Sequence, residues 1–303
     1  MAAYIMLIMV VFFYSGNILV GKAINELPPF TIAFFRLMIA FLCIVPLGWK
    51  SAWKAKNIFW AHRLPLIVLT VTGVTFFNTF IYGALQFTSS TNVSVLETII
   101  PAVTVLLSTY ILKERLRFIQ WIGVVLSIVG ALWVVMNGRL FAIAEMNWNA
   151  GDGIMVGAIA CWSIYSIAVK RYMHLFPPYG VLLVMTGISI IILVPFITAE
   201  WLFLGVPSFT LSEQLPSLAY LGLFPGFIAL LFYNRAVDQL GASKASVFLN
   251  FLPVVTMAGA VLWLEETLTP AKVIGALIVI AGVLLTTQGR PKRFPEGHPS
   301  RKP

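Results

Sequence analysis

Residues 84–138, ALQFTSSTNVSVLETIIPAVTVLLSTYILKERLRFIQWIGVVLSIVGALWVVMNG, return as residues 236–290, AVDQLGASKASVFLNFLPVVTMAGAVLWLEETLTPAKVIGALIVIAGVLLTTQGR, at a constant offset of 152 with no gap. Ala84 meets Ala236, Ser94 meets Ser246, Pro101 meets Pro253, Thr104 meets Thr256, Glu114 meets Glu266, Leu116 meets Leu268, Gly123 meets Gly275 and Gly130 meets Gly282. Matched Gly, Pro and Glu in apolar surroundings are not what shared leucine-rich composition produces, so the chain contains an internal repeat.

What the repeat is made of follows from composition. Of 303 residues 60% are hydrophobic and 10% charged, and the mean hydropathy is +0.94. A water-soluble fold must cover its surface with polar groups. Here apolar runs of about 20 residues, the length that crosses hydrocarbon as a helix, follow one another almost without pause. A transmembrane barrel would show segments of roughly 10 alternating residues, whereas Val181 to Phe196, VLLVMTGISIIILVPF, does not alternate. The fold class is therefore an all-α membrane protein. Met1 to Val20 lacks a basic region and a small-residue cleavage site, and reads as an uncleaved first span. Cys43 and Cys161 fall inside spans and read as small packing residues. The net charge of +9 sits in short loops and a tail, which points to membrane topology and away from nucleic acid.

Ten spans are expected, roughly 3–23, 30–49, 64–87, 91–112, 118–136, 151–169, 179–199, 215–233, 243–264 and 270–288. Sixteen Lys and Arg residues, from Lys50 to Lys302, fall on one side of the membrane, and three, Lys22, Arg139 and Lys272, on the other. Basic loops are retained in the cytoplasm, so both termini are expected there. An offset of 152 covers five spans, an odd number, and the second copy must enter the membrane from the opposite face. The loop Lys113-Glu114-Arg115-Leu116-Arg117 accordingly becomes Glu265-Glu266-Thr267-Leu268-Thr269, stripped of basic residues where it should face outward. Fainter echoes relate Ser15 and Lys22 to Ser163 and Lys170, and Pro28-Pro29 to Pro177-Pro178 one residue out of step. The expected organisation is a first repeat of five helices (1–138), an outward-facing linker (139–150), a second, inverted repeat of five (151–289) and a basic cytoplasmic tail (290–303) that is disordered and meets anionic lipid. Inverted repeats build many secondary transporters, because related halves can adopt mirror-related inward-open and outward-open states; some channels and receptors share the construction.

The small residues Thr88-Ser89-Ser90, then Pro101, Glu114, Gly123 and Gly130, resemble the EamA domain, and two such domains in tandem resemble the drug/metabolite transporter (DMT) superfamily across about Tyr4 to Gly289. The chain is similar to bacterial amino-acid exporters of the YddG type. The resemblance implies a ten-helix secondary transporter of the cell inner membrane. It would export small metabolites, amino acids (aromatic or other neutral ones) foremost, by alternating access around a central cavity. A passive pore or a membrane-embedded enzyme is the competing reading. The amino-acid expectation rests on family analogy, since no substrate-diagnostic motif is present.

Charges inside spans are the strongest functional pointers, each costing about 3 kcal/mol unless paired or wetted. Arg36 and Glu97 both come to roughly 10 Å below the outer surface at 1.5 Å per residue, close enough in depth to pair. Glu97 suits proton uptake or contact with an amino group, and Arg36 suits holding a carboxylate or tuning Glu97; a structural ion pair is the alternative. Glu97 meets Leu249 in the second copy, so the repeat does not itself require an acid there. Further substrate-binding candidates are Asn17, Asn78, Tyr82, Trp162, Tyr165, Tyr233, Asn234 and Asn250, against interhelical hydrogen bonding for the asparagines and packing or interface anchoring for Trp162 and Tyr165. Asn78 and Tyr82 share one helix face, as do Asn17 and Gly21. Gly123 with Gly130, and Gly275 with Gly282, read as packing positions. Pro101, Pro253 and Pro225 remove helix hydrogen bonds and are candidate hinges. Glu114 and Glu266, at helix-end turns on opposite faces, are candidate gating or structural residues. His62, His174 and His298 lie in loops or the tail, so a histidine metal site or a Ser-His hydrolase lacks its members. No phosphate-binding loop is present. No enzyme activity, cofactor or metal is expected. The expected partners are a small-molecule substrate and the lipid bilayer, with no nucleic acid; the sequence leaves the oligomeric state open, a monomer being plausible.

Overall fold

A computed structural model describes residues 2–111, 118–135, 138, 149–208, 211–242, 245 and 248–287. Glu114, the region 139–148 and the tail from 288 lie outside the described residues, as does the side chain of Asn250. Among the described residues all regular structure is helical: α1 (Ala2–Ala23), α2 (Pro29–Lys54), α3 (Arg63–Leu85), α4 (Ser90–Glu97), α5 (Ile99–Ile111), α6 (Phe118–Val135), α7 (Ala150–Tyr172), α8 (Pro178–Leu204), α9 (Gln214–Leu240), α10 (Leu252–Trp263) and α11 (Pro270–Thr287), with short connecting turns of helix. Among the described residues seven spans can cross a membrane by length and composition: α1, α2, α3, α4 with α5 as Ser90–Ser108, and the stretches containing α7, α8 and α9. The chain is a multi-pass helical membrane protein.

The starts and stops follow local chemistry. Pro29 and Pro178 open α2 and α8 at the position where the missing N–H costs nothing. Ser89 caps α4 through Asn92 N, and Asn149 caps α7 through Gly151 N. Gly205 and Gly241 end α8 and α9 at φ of 82° and 90°, which a side chain would resist.

Several helices are not the uniform spans that apolar runs suggest. The expected fourth span, 91–112, breaks at Thr98. Pro101 has no N–H to offer the Glu97 carbonyl, so α4 stops at Glu97 and α5 begins at Ile99. Within the expected ninth span, 243–264, a tight 310 turn, Leu249–Phe251, precedes α10, and Pro253 leaves the Leu249 carbonyl in the same position. Thr70–Phe76 within α3 and Phe224–Ala229 within α9 are π-helical, wide turns that the expected spans 64–87 and 215–233 did not contain. Pro225 lies inside the second of them. The helices α2, α8 and α9 also run further than expected, to Lys54, Leu204 and Leu240.

The most extensive pairings are α6 with α11 and α2 with α8, followed by α3 with α7 and α1 with α9. Close backbone approach permits the first two: a Cβ on Gly48 would lie 2.8 Å from Tyr179 O, and one on Gly130 would lie 2.8 Å from Val279 N. On the basic side Trp49 stacks on Trp53 at 6.2 Å, Lys56 lies 5.2 Å over Trp53, and Arg63 lies 5.6 Å over Trp60. Such aromatic and cationic pairs suit the level of lipid headgroups.

Candidate functional site

Three helices of the first half meet in a polar knot. Asn17 on α1, Arg36 on α2 and Tyr82 on α3 are buried. Asn17 Oδ1 accepts from Arg36 Nη1 at 3.0 Å and from Tyr82 OH at 2.8 Å, while Asn17 Nδ2 donates to Asn78 Oδ1 at 3.1 Å. Arg36 Nη1 also donates to Tyr82 OH at 2.5 Å. The four-residue spacing of Asn78 and Tyr82 thus brings both to one partner. Gly21, one turn beyond Asn17, leaves the space that the Tyr82 ring occupies, since a Cβ there would lie 2.8 Å from Tyr82 Cε1.

The second half holds a related group. Tyr165 OH on α7 donates to Asn234 Oδ1 on α9 at 2.7 Å, and Ser166 Oγ and Tyr233 OH lie 3.0 Å apart. Positions 17 and 165 are related by an offset of 148, and positions 82 and 234 by 152. The same helix-to-helix bond is therefore made twice, with tyrosine and asparagine exchanged. A second related pair joins the halves: Ser15 Oγ donates to Leu252 O, and Ser163 Oγ to Ile100 O, each at 3.4 Å. Trp162 ties the centre together, its ring 4.3 Å from Phe77, 5.1 Å from both Tyr165 and Tyr233, and 5.6 Å edge-on from Tyr14. Trp162 and Tyr165 are wholly buried at the middle of the bundle, which excludes the expected alternative of anchoring at the membrane surface.

A small cavity adjoins both groups. Three pairs of related positions wall it, Tyr14 with Trp162, Glu97 with Leu249, and Ile100 with Leu252, together with Asn17, Phe77 and Ile81. It has room for about one water molecule. Glu97 is only 5% exposed, and its carboxylate takes no hydrogen bond or ion pair from any described residue. The pairing expected between Arg36 and Glu97 is not made, because the neutral oxygens of Asn17 and Tyr82 occupy the Arg36 guanidinium. Among the described residues its buried Nε has no partner, nor has the hydroxyl of Tyr14. The cavity wall thus gathers a free acid, an unpaired hydroxyl and aromatic faces, with a cation one hydrogen bond behind.

The other expected residues fall elsewhere. Pro101 and Pro253 stand just beyond Glu97 and Leu249 at the two helix breaks, and Leu249 reaches the wall. Glu266 is not part of the cavity wall and sits at the N-terminus of α4. Ser90 N and Oγ donate to its Oε1 at 2.9 and 2.6 Å, and Thr91 N and Oγ1 to its Oε2 at 3.3 and 2.7 Å. Partial burial pushes the Glu266 carboxyl up, but these four bonds outweigh it and hold its pKa below the usual carboxylate range. Sequence reasoning missed Tyr14, although it stands three residues before Asn17 and seven before Gly21 on the same face of α1. It also missed Glu200, whose partners lie 169 and 170 residues away.

Fold and cavity together define a multi-pass helical protein built around a buried polar centre, the class to which membrane carriers belong. The model of the EamA-like transporter family matches residues 1–136 and 149–288, and the chain belongs to that family. It is similar to an uncharacterized transporter of Bacillus subtilis, YyaM, 28% identical over 259 residues that cover 82% of this chain and 81% of the relative. It is also similar to a probable terminal-alkyne amino-acid exporter of Streptantibioticus cattleyicolor, 26% identical over 229 residues covering 74% and 73%. A solved crystal structure shares the fold, with a TM-score of 0.70 over 94% of this chain and 96% of the other at 17% identity.

Proposed function

We propose that this chain is a secondary carrier exporting small amino-bearing metabolites, amino acids foremost, through two inverted five-helix repeats that rock about the central cavity. The observation that carries the reading is the cavity wall itself, to which related positions contribute in pairs and where Glu97 is the acid that its counterpart Leu249 lacks. A buried carboxylate without a protein partner stabilises a cationic ligand or holds a proton, and either suits a site that exchanges one for the other. The aromatic and aliphatic wall accepts an apolar side chain, and Arg36 behind Asn17 supplies the charge a substrate carboxylate would meet. Membership of a transporter family and the likeness to a probable amino-acid exporter support the same reading. The basic face carrying Lys50, Lys54, Lys56 and Arg63 supports a cytoplasmic placement of that side and of both termini in the inner membrane. Cells that overproduce the chain, challenged with inhibitory levels of single amino acids, test the export claim. Tolerance to one chemical group of amino acids, lost in Glu97→Gln, is expected; tolerance unchanged for every amino acid would remove amino-acid export.

A further inference from the structure

The face of the bundle where α1 ends and α2 and α4 begin is fastened by two carboxylates from the second half. Glu200, near the end of α8, accepts from Phe30 N at 3.0 Å, Thr31 N at 2.8 Å and Thr31 Oγ1 at 2.7 Å, and so caps α2. Trp201 Nε1 adds a bond to Thr31 Oγ1 at 2.9 Å. Glu266 caps α4 through Ser90 and Thr91, as described above. Both carboxylates sit where exposed amides and the positive end of a helix favour an anion, and both cross from one half to the other. Lys22 closes the same face from α1, donating to Leu85 O at 2.8 Å and Thr88 O at 3.1 Å. Glu265, held at φ 52°, turns the chain so that Glu266 points back at α4.

The opposite face is joined differently at the matching junction. With Pro29 matched to Pro178 and Pro46 to Pro195, an offset of 149, Thr31 corresponds to Gly180 and Glu200 to Ser51. There the backbones simply touch: a Cβ on Gly180 would lie 3.0 Å from Ala52 N. The α2 clamp therefore belongs to one face alone.

We propose that Glu200 and Glu266 form a two-point latch that holds this face shut, and that α4 is the lever it releases. The latch binds the first residues of α4, Glu97 is its last residue, and the Pro101 break lies directly beyond. A short helix of eight residues held at one end and hinged at the other transmits what happens at Glu97 to the latch some 10 Å away. Five of its eight residues are polar, Ser90, Thr91, Asn92, Ser94 and Glu97, and buried Asn92 Oδ1 has no partner among the described residues. A helix so composed exchanges hydrogen bonds when it moves and loses little apolar contact. The inference rests on the carrier reading for its purpose, but its physical content is a conformational equilibrium that exists without substrate.

The test uses the full chain in nanodiscs, where both faces meet a water-soluble maleimide. In a Cys43→Ala, Cys161→Ala background, a reporter cysteine replaces Val93, buried one turn below Ser90, or Val169, buried toward the opposite face. Glu266→Gln turns an amide donor against the α4 amides and is expected to speed labelling at position 93 roughly tenfold, with a further gain when Glu200→Gln is added, while position 169 is unchanged or slower. Equal acceleration at both positions would mean general loosening and would overturn the latch, as would unchanged labelling at 93. If Glu266→Gln does not fold, Ser90→Ala with Thr91→Val removes two of the four donors and is read in the same way. Labelling needs no transported molecule, so a chain that carries nothing still decides the latch, and a failed latch leaves the carrier reading standing.

Discussion

Glu97 is an acid where the second copy carries Leu249. Its carboxyl group lines the cavity with no hydrogen-bond partner among the described residues, so Glu97→Gln removes the acid while keeping the size of the side chain. A charged hydrogen bond to a substrate ammonium contributes about 1.5–3 kcal/mol, so Glu97→Gln should weaken substrate binding roughly ten- to a hundredfold; titration of purified protein with the preferred amino acid checks it. Tyr82→Phe strips one acceptor from buried Arg36 and one donor from Asn17, and should cost about 1–3 kcal/mol, read as a lower midpoint of thermal unfolding in detergent. At Glu266 the sign of the acid dependence follows from its depressed pKa. Its bonds stabilise fully above the unfolded carboxylate value of about 4.3 and are lost as pH falls through the lower folded value. The stability difference between the parent and Glu266→Gln should therefore persist from about pH 7 to pH 5 and close only below about pH 4. Glu97 was visible in the sequence because a charge amid apolar residues stands out and its counterpart is Leu249. Glu200 was not, because an acid near a helix end at the membrane boundary looks ordinary until its partners at Phe30 and Thr31 are seen. Comparing it with Ser51, as Glu97 was compared with Leu249, would have raised the same flag.

At the scale of elements, α4 and the two π-helical turns set the geometry. Pro101→Ala restores an N–H to the Glu97 carbonyl and favours continuous helix through Thr98 by about 3 kcal/mol. A stiffened α4–α5 should keep or raise the unfolding midpoint while transport slows, and a variant equally fast and equally stable would remove the hinge. The wide turn in α3 leaves Gly73 against the Tyr165 ring, where a Cβ would lie 2.1 Å from Cδ2. Gly73→Ala must move the ring and strain its bond to Asn234; a loss of about 1–3 kcal/mol is expected from the unfolding midpoint. The prolines announced both helix breaks, since removal of a backbone donor is a local fact. The π turns carry no comparable signature: TVTGVTF reads as ordinary apolar helix, and the wide turn arises where that segment packs on α7 and α8.

Across the whole molecule, the offsets of 148 and 152 read from the sequence recur as matched contacts: Tyr82–Asn17 with Tyr165–Asn234, and Ser15–Leu252 with Ser163–Ile100. The helical, membrane-spanning character and the transporter family were legible in composition and in the repeat, because both are distributed over hundreds of residues. The cavity wall was legible only in part, since Phe77, Ile81 and Ile100 are apolar residues among many and only packing singles them out. A cavity with room for about one water is closed, and a carrier must open it to each side in turn. Substrate waiting on the far side therefore speeds the return of the protein, whereas a pore is indifferent to it. Purified chain in liposomes preloaded with an unlabelled amino acid, then offered the same amino acid radiolabelled outside, measures this directly. Saturable uptake that overshoots equilibrium and is accelerated by the internal load is the predicted result. Flux that rises in proportion to concentration, without saturation or acceleration, would contradict a carrier.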